Sequence, residues 1–337
     1  MRNWQRSPIF KVSGPTTFIN NGCRWVERIK STLSIVLLLC SGCVSAQLNQ
    51  GQQWQSQLYV DHPLVGTIWD SRRDRFVEPS ELFASVEGVN YLLLGEKHDN
   101  PDHHALQLQM LDYMLQTGRV SSVSFEMMSS EQQPLLENLG SQQLGSLEAI
   151  NEYLQWDNDG WDWDYYGPLV RSAMDASVNI YAANISNEEM MRVYGEPTAA
   201  EIADVLGEAA MAALTKDIDE SHCGMLPESQ FPAMVRVQQA RDFAMAASLS
   251  ANSGGQAQIL IAGNYHIRRD LGVPNYLLHA QAGLQDGQIL SLAFLEVDAS
   301  RDEPADYLQQ FGELQAYDFI WFTPAISSED YCASLAQ

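Results

Sequence analysis

The chain has 337 residues, 45% of them hydrophobic and 18% charged, which excludes a disordered polymer and leaves ample surface to bury a core. Its 19 Lys and Arg stand against 43 Asp and Glu, a formal net charge of −24. Residues 1–43 hold six of the basic residues and one of the acids, so the remainder carries −29, and a body that acidic argues against nucleic acid as a partner.

The N-terminus reads as an address. Arg28 and Lys30 precede a short apolar run from Leu33 to Leu39, and Ser41-Gly42-Cys43 follows. Charge, apolar stretch and small-residue site together make a secretory signal, too short to span a bilayer. Ser41-Gly42-Cys43 resembles a bacterial lipobox, in which Cys43 becomes the lipidated first residue. Cys40 stands where that pattern usually has Leu or Val, and cleavage after Ala46 competes. Residues 1–43 are thus expected to be a signal peptide with lipobox, and the Gln- and Ser-rich stretch 44–60 a flexible tether. The expected location is the bacterial cell envelope, lipid-anchored at the outer membrane. Cys223 and Cys332 remain in the body, either as one disulfide or as two free thiols.

The first strong element is Val89–Leu94, a continuous apolar run closed by Gly95 that reads as a strand buried on both faces. Asn100 then caps a helix opened by Pro101, with Leu106, Met110 and Met114 on one face. Further strands are predicted at 123–125, ending at Glu126, and at 178–182, 259–262, 289–294 and 319–322. Helical patterns fill 199–215 and 232–250. The block 187–255 is too helical for one crossover and reads as an inserted helical lid or subdomain. Strands alternating with helices predict a three-layer α/β sandwich with a mainly parallel central sheet over residues 61–337.

Chemistry gathers at the ends of these strands, where open α/β sheets bind ligands. The first delivers Gly95-Glu96-Lys97-His98-Asp99-Asn100, with His103 and His104 in the next helical turn. The second delivers Glu126, and the fourth Gly263-Asn264-Tyr265-His266-Ile267-Arg268-Arg269-Asp270. Gly-x-x-His thus recurs at Gly95 and Gly263. His103 and His104 are adjacent on a helix, so at most one enters a site. The segment Trp156–Tyr166 is aromatic and acidic but does not fit a calcium loop, since Gln155 and Tyr166 stand at its first and twelfth positions. It suits a flat apolar ligand or a partner surface, or it staples helix ends to the core.

The run Gly95-Glu96-x-His98-Asp99-Asn100-x-x-His103-His104 resembles the hallmark of the ChaN-like haem-binding lipoproteins, relatives of the Tiki proteases, the TraB proteins and the erythromycin esterases. The likeness continues through Phe125-Glu126-Met127, Tyr166-Gly167-Pro168, Ala182-Ala183-Asn184, His222-Cys223-Gly224, Gln239-Ala240-Arg241-Asp242 and the stretch from Gly263 to Pro274. The chain departs from the pattern at Asn264-Tyr265 and in a second tyrosine, Tyr165. The resemblance implies a membrane-anchored haem-binding protein of an iron uptake system, served by a haem-uptake receptor. It also implies a homodimer around two stacked haems, with a tyrosinate on each iron and basic and histidine contacts to the propionates. Tyr166 is then the expected iron ligand, a hard anionic donor suited to ferric iron, with Tyr165 and Tyr265 as alternatives. Lys97, His98, His103, His266 and Arg268, with Arg269, are expected about the haem. The second reading is a metal-dependent hydrolase, a Tiki-like peptidase or esterase. In it Glu96, His98, Glu126 and His266 hold a divalent metal ion that activates water.

Overall fold

The structure, a computed structural model, describes residues 53–249, 256–308, 315–329 and Cys332. The expected leader with Cys43, and residues 44–52 of the expected tether, lie outside the described residues. In chain order the elements are β1 (Ile68–Asp70), β2 (Arg75–Val77), α1 (Pro79–Val86), β3 (Tyr91–Glu96), α2 (Pro101–Gln116), β4 (Val120–Ser129), α3 (Gln133–Leu139), α4 (Leu147–Leu154), α5 (Trp163–Asp175) and β5 (Asn179–Asn184). There follow α6 (Asn187–Gly195), α7 (Ala200–Ala203), α8 (Glu208–Ser221), α9 (Phe231–Leu249), β6 (Ala257–Gly263), α10 (Val273–Ala280), β7 (Ile289–Glu296), α11 (Pro304–Leu308) and β8 (Phe319–Thr323).

The strands form one sheet in the order β2-β1-β8-β7-β3-β6-β4-β5. The six strands from β8 to β5 pair in parallel, and β1 runs antiparallel to both β2 and β8. Those six are the apolar runs visible in the sequence. In the central strands continuous hydrophobicity follows from burial on both faces: Leu92, Leu93 and Leu94 have no exposed surface, nor have their β6 partners Ile259, Leu260 and Ile261. Alternation divides them between two cores. Leu92, Leu94, Ile259 and Ile261 pack with Leu106, Met110 and Met114 of α2 and with Leu169 and Val170 of α5. Leu93, Leu260 and Ala262 pack with Met245 and Leu249 of α9 and with Tyr276 and Leu277 of α10. Helices therefore cover both faces of a mainly parallel sheet, a three-layer α/β sandwich.

Four helices, α6 to α9, stand between β5 and β6. Of these, α9 touches β4, β5 and β6 as well as α6, α7 and α8. Cys223, just beyond α8, is bonded to Cys332 with Cα atoms 5.3 Å apart, which decides between the two thiol alternatives. Residues 53–60 lie against the domain: the amides of Gln55 and Ser56 donate to the Asp102 carboxylate at 2.8 and 2.9 Å, and Leu58 bridges to Ala325. Among the described residues no helix is long and apolar enough to cross a membrane.

Candidate functional site

Because β3, β6 and β4 are neighbours in the sheet, their carboxyl ends bring Glu96, Gly263 and Glu126 together. Glu96 Oε1 accepts from the Tyr166 hydroxyl at 2.9 Å and from His98 Nδ1 at 2.7 Å. Glu126 Oε2 accepts from the Gly263 amide at 2.7 Å, and its Oε1 lies 3.2 Å from His266 Nε2. The other ring nitrogen, His266 Nδ1, donates to Asp242 Oδ1 at 2.6 Å. The His98 ring lies over Gly263, where a Cβ would stand 3.0 Å from its Cε1 and Nε2; glycine admits the ring.

The charges follow from this packing. Burial pulls the His266 imidazole toward neutrality, but Glu126 and Asp242 outweigh it and push its pKa up to about 10. Burial likewise raises the Glu126 carboxyl, yet the His266 imidazolium, His98 and the Gly263 amide together bring it down to about 2. Burial opposes charge on His98 too, and is outweighed by its bond to Glu96 and the charges of Glu96 and Glu126, so its pKa rises. His98, with a side chain 44% exposed, is the member of this centre that meets solvent. Both ring nitrogens of His266 face carboxylates, Nδ1 that of Asp242 and Nε2 that of Glu126. Among the described residues no group of three or more His, Cys, Asp and Glu is placed to hold a metal ion. The divalent-metal reading of Glu96, His98, Glu126 and His266 is therefore not supported: two of the four expected ligands are spent on each other.

Other expected site residues are placed differently from their sequence reading. Tyr166 is 0% exposed, packed against Trp156, Trp161 and His104, and burial with the Glu96 charge holds its phenol far above the ordinary value. Tyr165 stacks on His104 with ring centroids 4.7 Å apart. His103 is fully buried and kept neutral by burial; its Nδ1 accepts from the Lys97 amide at 2.8 Å and its Nε2 meets Thr323 Oγ1 at 2.8 Å. It fastens the loop after β3 and has no nitrogen left over. The expected basic patch is not assembled either. Arg268 is buried between Asp217 at 2.7 Å and Asp270 at 2.9 Å, and Arg269 is held by Asp318 at 2.9 Å and by Asp286. Of the three cations only Lys97 is at the surface, beside Asp99 and 3.7 Å from Glu296.

An unanticipated feature lies alongside. Helices α6, α8 and α9, with Tyr265 from the loop after β6, enclose a cavity of about 630 Å³, within the usual range of small-molecule sites. Met190, Met191 and Tyr194 of α6, Leu214 and Ile218 of α8, and Met234 and Val237 of α9 make its walls apolar and adaptable. Its polar groups are few: Tyr265, His222 at the end of α8, Arg241, Ser221, Gln238 and an Asp217 already engaged by Arg268. Tyr265 is 39% exposed, and burial of its ring, with Asp217 beside it, raises the phenol above its ordinary value. Gln238 separates the cavity from the strand-end centre, its side-chain amide 3.1 Å from His266 Nδ1. A larger cavity of about 890 Å³ lies between α3 and β5, where Arg171 and Asp175 pair with each other.

Residues 82–277, more than half of the chain, match the family described as haem-binding uptake, Tiki superfamily, ChaN. Among solved structures the chain is similar to one described as cofacial heme binding to ChaN of Campylobacter jejuni, with a TM-score of 0.61 and 21% identity over 75% of this chain and 95% of that one. This likeness establishes the fold. Fainter overlaps are to RRSP, a MARTX toxin effector domain from Vibrio vulnificus (TM-score 0.39, 16% identity, 67% of this chain and 37% of that), and to a mutant of the erythromycin esterase EreC in its open conformation (TM-score 0.39, 14% identity, 65% and 73%). No functionally curated protein matches the sequence significantly. The strand-end motifs, the α/β fold and the match over residues 82–277 lead to one conclusion: the chain belongs to the ChaN family of haem-binding uptake proteins in the Tiki superfamily.

Proposed function

We propose that this protein binds haem as cargo in the apolar cavity between α6, α8 and α9, with the Tyr265 phenol facing the iron. The observation that carries this reading is the cavity itself: thioether and aliphatic walls around one half-exposed tyrosine, close to His222 and Arg241. Tyr166 has the same functional group but no open face. When haem is bound the group supplies a ferric centre, and a phenolate takes its place there only by losing a proton. The protein's own part is to exclude water with Met190 and Met234 and to hold the phenol in position. The strand-end centre serves as the rigid base of the cavity, joined to it by Gln238. Lipidation at Cys43 in the outer membrane of the envelope, delivery by a haem-uptake receptor, and pairing of two copies about their haems complete the reading as an uptake protein.

The test is to add haemin to the purified protein and record its absorption spectrum. Wild type is expected to give a phenolate-ligated ferric spectrum, Tyr265→Phe to lose it, and Tyr166→Phe to keep it. No haem binding at micromolar concentrations would overturn the function. A spectrum that shifts in Tyr166→Phe and not in Tyr265→Phe would move the iron to the strand ends.

A further inference from the structure

We infer that the Cys223–Cys332 bond is a redox latch on the cavity between α6, α8 and α9. Closed, it keeps the end of α8 against the cavity; opened by a dithiol, it lets that end withdraw and the cargo leave. The inference rests on the reading of this cavity as the cargo site. Ser221, the last residue of α8, and His222, its cap, both line the cavity. Cys223 follows them directly and is bonded to Cys332. Cys332 is exposed, which leaves the bond open to attack from solvent.

The backbone at Cys223 shows that the bond, and not the turn, calls for a cysteine there. The Gly224 amide donates to the Asp219 carbonyl at 2.9 Å and the Cys223 amide to that of Glu220 at 3.0 Å, the pairing that ends a helix in a Schellman turn. Such a turn puts a left-handed residue where Cys223 stands, with φ of 59°, and glycine is usual at that place. A residue with a Cβ is disfavoured in this conformation, and the covalent tie to Cys332 holds it there. The Ser221 hydroxyl and His222 Nδ1 donate to the Ile218 carbonyl at 2.9 and 2.6 Å, which fixes both side chains to α8 itself. Asp217, just before them, is fastened to the domain by Arg268. Cutting the disulfide therefore frees the wall beyond Asp217 while the rest of α8 stays anchored. The opening step is exchange with a protein dithiol. Its thiolate attacks the Cys332 sulfur, the S–S bond breaks, and Cys223 leaves as a thiolate that takes up a proton. The second thiolate of the dithiol attacks the mixed disulfide and releases Cys332, which is protonated in turn. Two electrons pass to the cysteine pair, and the dithiol ends as a disulfide.

The experiment compares four forms of the protein: bond closed, reduced with dithiothreitol and alkylated, Cys223→Ser with Cys332→Ser, and Cys223→Gly with Cys332→Ser. Hydrogen exchange of the ligand-free protein is read by mass spectrometry over residues 218–226. It is expected to be about tenfold faster after reduction and in the serine variant, the factor that matches relief of one left-handed residue. Peptides from β6 should not change. The glycine variant, free to keep the turn without the bond, should exchange at nearly the rate of the closed protein. Transfer of bound haemin to an excess of apomyoglobin should quicken in the same two forms. Equal exchange in closed and reduced protein would overturn the latch, and that comparison needs neither haem nor a variant. Faster exchange with unchanged haemin transfer would overturn it as well. Closed protein that takes up no haemin would overturn the haem reading, and the cargo's exit with it, whatever the exchange shows.

Discussion

The buried series Glu126, His266 and Asp242 makes a stability prediction that also decides what His266 is. His266 has an ordinary value of 6.5 and is held at about 10 in the folded protein. Moving a group that far corresponds to about 5 kcal/mol at the limit where only the folded state feels its partners. The depression of Glu126 to about 2 reports largely the same attraction from the other side and is not added to it. Replacing His266 by Leu leaves two buried carboxylates facing each other without a cation, and losing one partner of a buried pair costs about 3–5 kcal/mol. The sign with pH is fixed by the two directions. A raised histidine contributes fully below 6.5, and its contribution is lost as pH climbs toward about 10. A depressed carboxyl contributes fully above 4.5, and its contribution is lost as pH falls toward about 2. Urea unfolding followed by tryptophan fluorescence should therefore show wild type losing stability from pH 7 to 10. His266→Leu should be destabilised by about 3–5 kcal/mol near pH 6, with an unchanged urea slope and little remaining alkaline decline. A loss below about 1 kcal/mol, or a wild type whose stability is flat from pH 7 to 10, would refute a buried imidazolium and restore the neutral ring that a metal ligand requires.

Arg268→Met should destabilise by about 3–5 kcal/mol, by stranding Asp217 and Asp270, as read by equilibrium unfolding in urea. Haem affinity should rise with pH by about tenfold per unit while one phenol proton is released on binding, and a pH-independent affinity would count against a tyrosine ligand. Gly263→Ala should displace the His98 ring, read as a changed histidine resonance by NMR, at a cost of about 1–3 kcal/mol in urea unfolding. Cys43→Ala should leave the protein in the aqueous phase of a detergent partition, whereas an N-terminus at Gln47 in the wild type would show ordinary secretion.

Much of the fold was legible because burial on both faces leaves an unmistakable mark. A run such as Leu92-Leu93-Leu94 has no polar residue to confuse its reading, and β6 and β8 repeat it, whereas β4 shows only the alternating Val123-Ser124-Phe125. Strands β1 and β2 escaped because three residues are too few for any period, and β2 carries Arg75 and an exposed Phe76. The strand-end residues were legible as a group, and their roles were not. Asp242 lies 24 residues from His266 on another element, so no spacing announced that it would complete a carboxylate–imidazolium–carboxylate series. Arg268 and Arg269 read as haem contacts because the acids that hold them, Asp217 and Asp318, lie 51 and 49 residues away. The cavity was invisible for the same reason: its walls come from three helices and a loop that lie far apart in the sequence.

The Cys223–Cys332 bond has a mechanical consequence. It closes a covalent ring, 109 residues in sequence separation, that contains α9, β6, α10, β7, α11 and β8, together with Tyr265 and His266. A pull applied between the two ends of the chain passes from Cys223 directly to Cys332, so everything between them bears no tension. At about 3.3–3.6 Å per residue the ring withholds roughly 360–390 Å of extension. Force from the N-terminus would therefore draw out β1 to β5 and α1 to α8 first, whereas a reductant would add the hidden length as a single longer step in a force–extension trace.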